Sequence, residues 1–190
     1  MSSSTTAPLK LAICFAAHGA LGDINGPTEQ LGVLFEGVDL FDKLTPRVRI
    51  KPTVIAETLE PIITASVVPR IVADKTYETA MGEQYDIILV GGCAYNSRQN
   101  LWQDTDCRAV DKPDREYPKS LFPFLAKQVP GAKYVLSVCV GAIALGMAGA
   151  LDGKKATVTK AALPLAGVRD ILLPIIDILT DIQIGLVPQS

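Results

Sequence analysis

Histidine is nearly absent. The 190 residues contain one, His18, close to the N-terminus. Any mechanism that needs a histidine after its nucleophile in chain order is excluded, which removes Ser…Asp…His hydrolases and papain-like Cys…His proteases. Zinc sites built from several histidines are excluded as well. Cysteine is limited to Cys14, Cys93, Cys107 and Cys139, with no C-x-x-C pair, so neither a zinc ribbon nor a thioredoxin motif is supported. Aromatics are 6% of the chain, which disfavours base stacking on single strands. Basic residues are not in surplus: 18 Lys and Arg against 20 Asp and Glu give a net charge of −2, so no nucleic acid or anionic membrane is expected as the main partner. The apolar run Leu11–Ala17 is short and reads as a buried first strand rather than a signal peptide. The run Ile171–Leu179 is broken by Pro174 and Asp177 and is too short to span a bilayer. A soluble, cytoplasmic protein with reduced cysteines is expected.

The composition itself, 48% apolar and 20% charged, is that of a globular chain, and the length suits one domain. Residues 1–8 (MSSSTTAP) are polar and expected to be disordered. Lys10–Phe15 reads as strand one. Gly26-Pro27 then opens a helix with proline in its first turn, and Leu31, Leu34 and Phe35 share a face at helical spacing. Arg47–Ala56 alternates like a strand, with Pro52 marking an edge or a break. Pro69–Thr79 reads as an irregular or short-strand connector. Tyr85–Val90 is a continuous apolar run ended by Gly91-Gly92, the mark of a strand buried on both faces. Ala94–Pro118 is polar, charge-dense and loop-like. Lys119–Gln128 reads as a helix, Tyr134–Val138 as a buried strand, Val140–Leu151 as a small-residue helix ended near Gly149 and Gly153, and Ala156–Thr159 as a further strand. Strands alternating with helices predict an α/β fold with a mostly parallel sheet. Sites in such sheets lie past the carboxyl ends of strands. The Ala16–Asp23 loop, Gly91-Gly92 and Cys139 all follow strand ends and are expected to converge.

Ser137-Val138-Cys139-Val140-Gly141 has the form of a nucleophile elbow, S-x-C-x-G, with an apolar strand before it and a small-residue helix after it. The helix N-terminus is expected to lower the Cys139 thiol pKa. The plainer alternative is an inert cysteine at a strand end. Gly91 and Gly92 are placed to bring backbone N–H groups to the sulfur, as an oxyanion hole requires, or simply to end a strand. Asp23 either caps the following helix or lies by Cys139 as an acid or base. Glu29 is a second candidate carboxylate, or a solvent-facing helix glutamate.

Three blocks carry a family resemblance. DINGPTEQL resembles a D-x-x-G-P-x-E-x-L block after strand one. YDIILVGG resembles a D-x-x-x-x-P-G-G strand and turn, with Val90 in place of proline. YVLSVCVGAIALGMAGALDGKKAT resembles a nucleophile block of the form S-V-C-T-G, helix, L-D-G-x-x-A-T. Together they resemble the ThiJ/PfpI superfamily, the class I glutamine amidotransferase-like group, and within it the isocyanide hydratase-like branch. The resemblance implies a ThiJ/PfpI-like domain over residues 9–160 with a flavodoxin-like three-layer α/β sandwich, commonly a homodimer. It implies Cys139 as nucleophile, Asp23 as the carboxylate that positions water or shuttles a proton, and oxyanion N–H groups from Gly92 and Val140. No external cofactor and no metal are implied. The implied activity is that of a lyase-type, isocyanide hydratase-like enzyme on a small-molecule electrophile. Glyoxalase or deglycase chemistry uses the same residue types and stays open, as does a non-catalytic redox-sensing or inactive paralogue. A regulatory ligand-binding domain is a further reading, although no helix-turn-helix or basic face is present.

The chain departs from that pattern. Val140 replaces the usual threonine after the cysteine and removes a hydroxyl. Cys93 directly after Gly92 is unusual; it is either a partner for Cys139 in a disulfide switch or a buried small residue. His18 lies in the loop leading to Asp23, either facing the site or bonded to backbone or water. Residues 161–190 form a divergent apolar tail without the family's usual glycine-rich segment, so the C-terminal strands and helix are expected to be incomplete. Ile171–Leu186 is a candidate substitute helix over the exposed sheet edge.

Overall fold

The computed structural model describes residues 7–38, 48–93 and 117–153, together with the backbone of Gly185 and Leu186. The strand expected at Ala156–Thr159, Cys107 and most of the charged loop fall outside the described residues.

Strand β1 (Leu9–Cys14) is the centre of the sheet. It pairs in parallel with β2 (Ile50–Ala56) on one side and with β6 (Ile87–Val90) on the other. Beyond β2 lies β5 (Lys75–Thr76), and beyond β6 lie β7 (Tyr134–Ser137) and β8 (Gly185–Leu186). All pairings are parallel except β7 with β8. A separate antiparallel hairpin joins β3 (Ile62–Ile63) to β4 (Arg70–Ile71). Because the chain leaves β1 for β2 on one side and returns as β6 on the other, the order reverses at β1. That reversal opens a crevice at the carboxyl ends of β1 and β6.

The side-chain alternation explains why both faces are covered. Ala12, Cys14, Ile88, Val90 and Val135 point to one face, against helices α3 (Leu121–Gln128) and α4 (Gly141–Met147). Leu11, Ile13, Ile87 and Leu89 point to the other, where Ile24 of α1 (Leu21–Gly32) packs. A short helix α2 (Tyr77–Ala80) is closed by a capping box between Thr76 and Thr79. The α/β, flavodoxin-like arrangement with a mostly parallel sheet is therefore present. Pro52 lies where β5 does not reach, since β5 pairs only with Ile55 and Ala56, so its missing N–H breaks no ladder on that side.

Several expectations are corrected. Helix α1 does not open at Pro27; it begins at Leu21 and carries Pro27 inside it. The ring leaves the Asp23 carbonyl without its usual donor, but Pro27 is buried, and the neighbouring Thr28 hydroxyl donates to the Ile24 carbonyl at 2.9 Å. Leu34 and Phe35 pack on the same core as Leu31 but lie beyond the helix end. Helix α4 stops at Met147, and Gly149 and Gly153 follow with φ of +74° and +69°. Of the expected Ile171–Leu186 helix only Gly185 and Leu186 lie within the described residues, and these two pair as a strand with Ser137 and Leu136. Among the described residues no helix is long and apolar enough to cross a membrane.

Candidate active site

The elbow forms as the sequence suggests. Cys139 follows β7 with φ of +56°, a left-handed conformation that a non-glycine residue adopts only when its surroundings enforce it. The enforcement is visible on both sides. Val138 N–H donates to Val90 O at 3.0 Å, and Gly141 N–H donates to Val138 O at 2.9 Å. Gly141 lies so close to β6 that a Cβ there would stand 2.3 Å from Val90 O. Only glycine lets α4 start at that point. Val140 is the helix N-cap and supplies no side-chain acceptor, which is the structural consequence of the missing hydroxyl.

Asp23 reaches Cys139 from α1. It lies in the first turn of that helix, and the N-cap position belongs to Ala20, so the capping role does not hold. Its Oδ2 accepts the Gly92 N–H at 3.0 Å, and its carboxyl group lies beside Cys139, close enough for each group to shift the other's ionisation. Gly92 lies between the two groups. A Cβ on it would stand 2.7 Å from Asp23 Oδ2 and 3.0 Å from Cys139 Cβ. Gly91 is equally constrained, with Ile24 Cδ1 at 2.7 Å from its would-be Cβ. The two glycines thus act by allowing close approach. The oxyanion role carried over to Gly92 meets an obstacle, because its N–H is already engaged by Asp23. The Val140 N–H acts on the Cys139 sulfur, where it favours the thiolate.

The electrostatics reverse one expectation. The thiol of Cys139 is raised above its ordinary pKa, first by burial and then by the Asp23 charge; the Val140 N–H opposes this without prevailing. The pull from the start of α4 is thus present but outweighed by burial and the Asp23 charge. Asp23 is raised as well, chiefly by burial, against the opposing pull of the Gly92 N–H and the Cys139 thiol. Both groups therefore resist ionisation more than their free counterparts do.

The other candidates separate from this pair. Glu29 is exposed, because six positions along a helix turn it away from Asp23. His18 is exposed with φ of +59°, and its backbone N–H donates to Ile63 O at 2.7 Å. Cys93 is buried in the core beneath α3 and α4, whereas Cys139 packs on the opposite core. No disulfide joins Cys14, Cys93 and Cys139. Cys93 and Cys139 are therefore separate free thiols in this structure, assigned to different cores. Among the described residues, no group of three or more His, Cys, Asp or Glu side chains is gathered to hold a metal ion.

One residue escapes sequence reasoning. Tyr117 is 4% exposed, and its hydroxyl donates to Gly91 O at 3.4 Å and accepts the Cys93 N–H. In the sequence it sits within DREYPKS, where the surrounding charges hide it; its position just ahead of α3 is the only signal.

This geometry defines an α/β protein with a nucleophile elbow paired to a helix-borne carboxylate. No family model and no curated protein matches the chain. Solved structures do. A ThiJ/PfpI family protein from Pseudomonas syringae aligns over 80% of this chain and 51% of its own, with 23% identity and a TM-score of 0.56. A two-domain protein with DJ-1/ThiJ/PfpI-like and ferritin-like domains from Anabaena variabilis aligns over 93% and 42%, with 19% identity and a TM-score of 0.59. Drosophila melanogaster DJ-1beta aligns over 85% and 72%, with 15% identity and a TM-score of 0.60. The chain spans about half or less of the length of the first two. Its fold is that of the ThiJ/PfpI and DJ-1 superfamily proteins.

Proposed function

We propose that the chain is a cofactor-free, cysteine-dependent hydratase of the ThiJ/PfpI kind, acting on a small electrophile such as an isocyanide. The observation that carries this reading is the juxtaposition of the Asp23 carboxyl group and Cys139 across Gly92, which donates its N–H to Asp23 and has no side chain to part them. A thiol that keeps its proton at neutral pH needs a base beside it, and Asp23 is that base. As the sulfur attacks the isocyanide carbon, the thiol proton passes to Asp23. The same carboxylic acid then protonates the carbon, giving a thioimidate. Water, deprotonated by the Asp23 carboxylate, adds to that carbon. The Asp23 carboxylic acid then gives the water's proton to the nitrogen, collapse of the tetrahedral adduct breaks the C–S bond as its hydroxyl proton passes to the sulfur, and an N-substituted formamide leaves. The sum is isocyanide plus water.

A homodimer in the cytoplasm is part of the proposal. Leu59, Val67, Val68 and Val72, on and beside the β3–β4 hairpin, are more than half exposed and offer apolar surface for a subunit contact.

A second reading has its own observation. Because the Gly92 N–H is engaged by Asp23, one of the two oxyanion donors that the resemblance implied is occupied, which favours a non-catalytic, redox-responsive protein. One experiment separates the readings. Purified protein is given an alkyl isocyanide, and formamide is followed by NMR beside Cys139→Ala and Asp23→Asn. Turnover abolished by either change supports the hydratase. Formamide at equal rates in all three proteins would sink it. Turnover of an α-oxoaldehyde alone would assign the pair to glyoxalase-type chemistry.

A further inference from the structure

The Gly91–Gly92 peptide spans the sheet between two groups that never touch. Its N–H donates to Asp23 Oδ2 at 3.0 Å, on the face where Ile24 and Cys139 pack. Its C=O accepts the Tyr117 hydroxyl at 3.4 Å, on the opposite face where Cys93 and α3 pack. The next carbonyl, that of Gly92, accepts the Ala20 N–H at 3.0 Å, and the Cys93 N–H returns to the Tyr117 oxygen. The turn is therefore held at every polar atom named, and its orientation is fixed from both faces.

We propose that Tyr117 is a positioning residue for the Asp23–Cys139 pair, acting through the Gly91–Gly92 peptide, whose carbonyl it holds while the N–H of the same peptide holds Asp23. A donor at a peptide carbonyl polarises the amide and strengthens its N–H as a donor. Removing the hydroxyl weakens the grip on the Asp23 carboxylate and frees the peptide to rotate. Burial raises the Tyr117 pKa well above the ordinary phenol value, so the O–H stays on as a donor throughout the working pH range. The ionisable group facing Asp23 from the elbow is Cys139; those facing Tyr117 are Cys93, from the same turn, and Cys139. The inference rests on the Asp23–Cys139 pairing described above and not on which electrophile the pair takes.

The test uses the full chain with 13C-labelled aspartate, the Asp23 carboxyl signal being assigned by its loss in Asp23→Asn. In Tyr117→Phe, which removes only the hydroxyl, the pH at which Asp23 ionises is expected to rise by about 0.2–0.6 unit, the scale on which linked hydrogen bonds strengthen one another. A folded Tyr117→Phe protein that melts lower but leaves the Asp23 titration unmoved overturns the proposal, since that is a purely structural role. If the variant does not fold, the unaltered protein decides. The Tyr117 hydroxyl proton is then expected to exchange slowly enough to be seen, and the Gly92 amide proton to shift in step with Asp23 ionisation; a Gly92 amide blind to that titration overturns the proposal. Absence of turnover by the unaltered protein would refute the hydratase reading alone, because none of these signals needs a substrate.

Discussion

Asp23 and Cys139 meet because the residue between them has no side chain. Gly92 donates to one, and a Cβ at its position would lie 2.7 Å from Asp23 Oδ2 and 3.0 Å from Cys139 Cβ. Val140 Cγ2, at 3.2 Å, closes the third side. Cys139 Cβ cannot retreat, since it is anchored to a backbone already at φ +56°. Gly92→Ala is therefore expected to separate the carboxyl and thiol groups and to cost about 1–3 kcal/mol of stability, the usual scale of overpacking. Urea unfolding measures the second effect. Loss of Asp23's influence on the pH profile of Cys139 alkylation measures the first.

Asp23→Asn should act in opposite directions on chemistry and stability. Burial raises Asp23 in the folded chain, so folding favours its protonated form. The stability tied to that proton is complete below the unfolded pKa and is lost as pH rises through the folded one. Asparagine never ionises, so the variant is expected to melt about 1–3 °C higher at neutral pH and to show no gain in acid. The Asp23 charge also contributes to raising the Cys139 thiol, after burial. Removing it should move the break in the iodoacetamide rate profile downward and speed alkylation about two- to tenfold near neutrality. Turnover should nevertheless fall by about 10²–10⁴-fold, the worth of a positioned base.

How much of this was legible in the sequence follows from the range of each interaction. The run Ile87–Val90 between Tyr85-Asp86 and Gly91-Gly92 reads directly as a strand buried on both faces, because period and flanking turns are local. The elbow is local too, since S-x-C-x-G encodes its own sharp turn. The start of α1 is not legible locally, because Pro27 is a strong signal for a first turn. Burial of its ring against the core overrides that preference. Whether the Gly92 N–H would meet a substrate oxygen or Asp23 depends on residues 69 positions apart, and spacing carries no such information. Likewise the rise in the Cys139 pKa comes from burial, which a helix N-terminus read off the sequence does not reveal.

Two alanine substitutions at glycines should separate close approach from mere helix placement. At Gly141 a Cβ would stand 2.3 Å from Val90 O and 3.0 Å from Val90 C, both backbone atoms of a fully paired central strand. Neither can yield, so Gly141→Ala is expected to push α4 off β6 and to cost about 3 kcal/mol or more. Gly22, in the first turn of α1, is exposed and has no atom within 4 Å of its would-be Cβ. Gly22→Ala should gain about 0.4–1 kcal/mol by restricting the unfolded chain. Thermal melting of the two proteins side by side gives the contrast.

Gln128 offers a stability test far from the thiol. It is fully buried at the end of α3, where its Oε1 accepts the Tyr85 N–H at 3.0 Å and its Nε2 donates to Glu83 O at 2.6 Å. It ties α3 to the segment that leads into β6. Gln128→Leu matches its bulk but leaves a buried donor and a part-buried acceptor unmatched, with an expected cost of about 2–3 kcal/mol. Gln128→Glu sharpens the point. A carboxylate keeps the bond from Tyr85 but cannot donate to Glu83, whereas the protonated acid can do both. Burial raises the pKa of such a group, so the glutamate variant should approach normal stability in acid and lose it as pH rises through that value. Denaturant midpoints measured across pH check this, with Cys139 alkylation unchanged as the control. Equal loss at every pH would mean that Gln128 acts through packing rather than through its two hydrogen bonds.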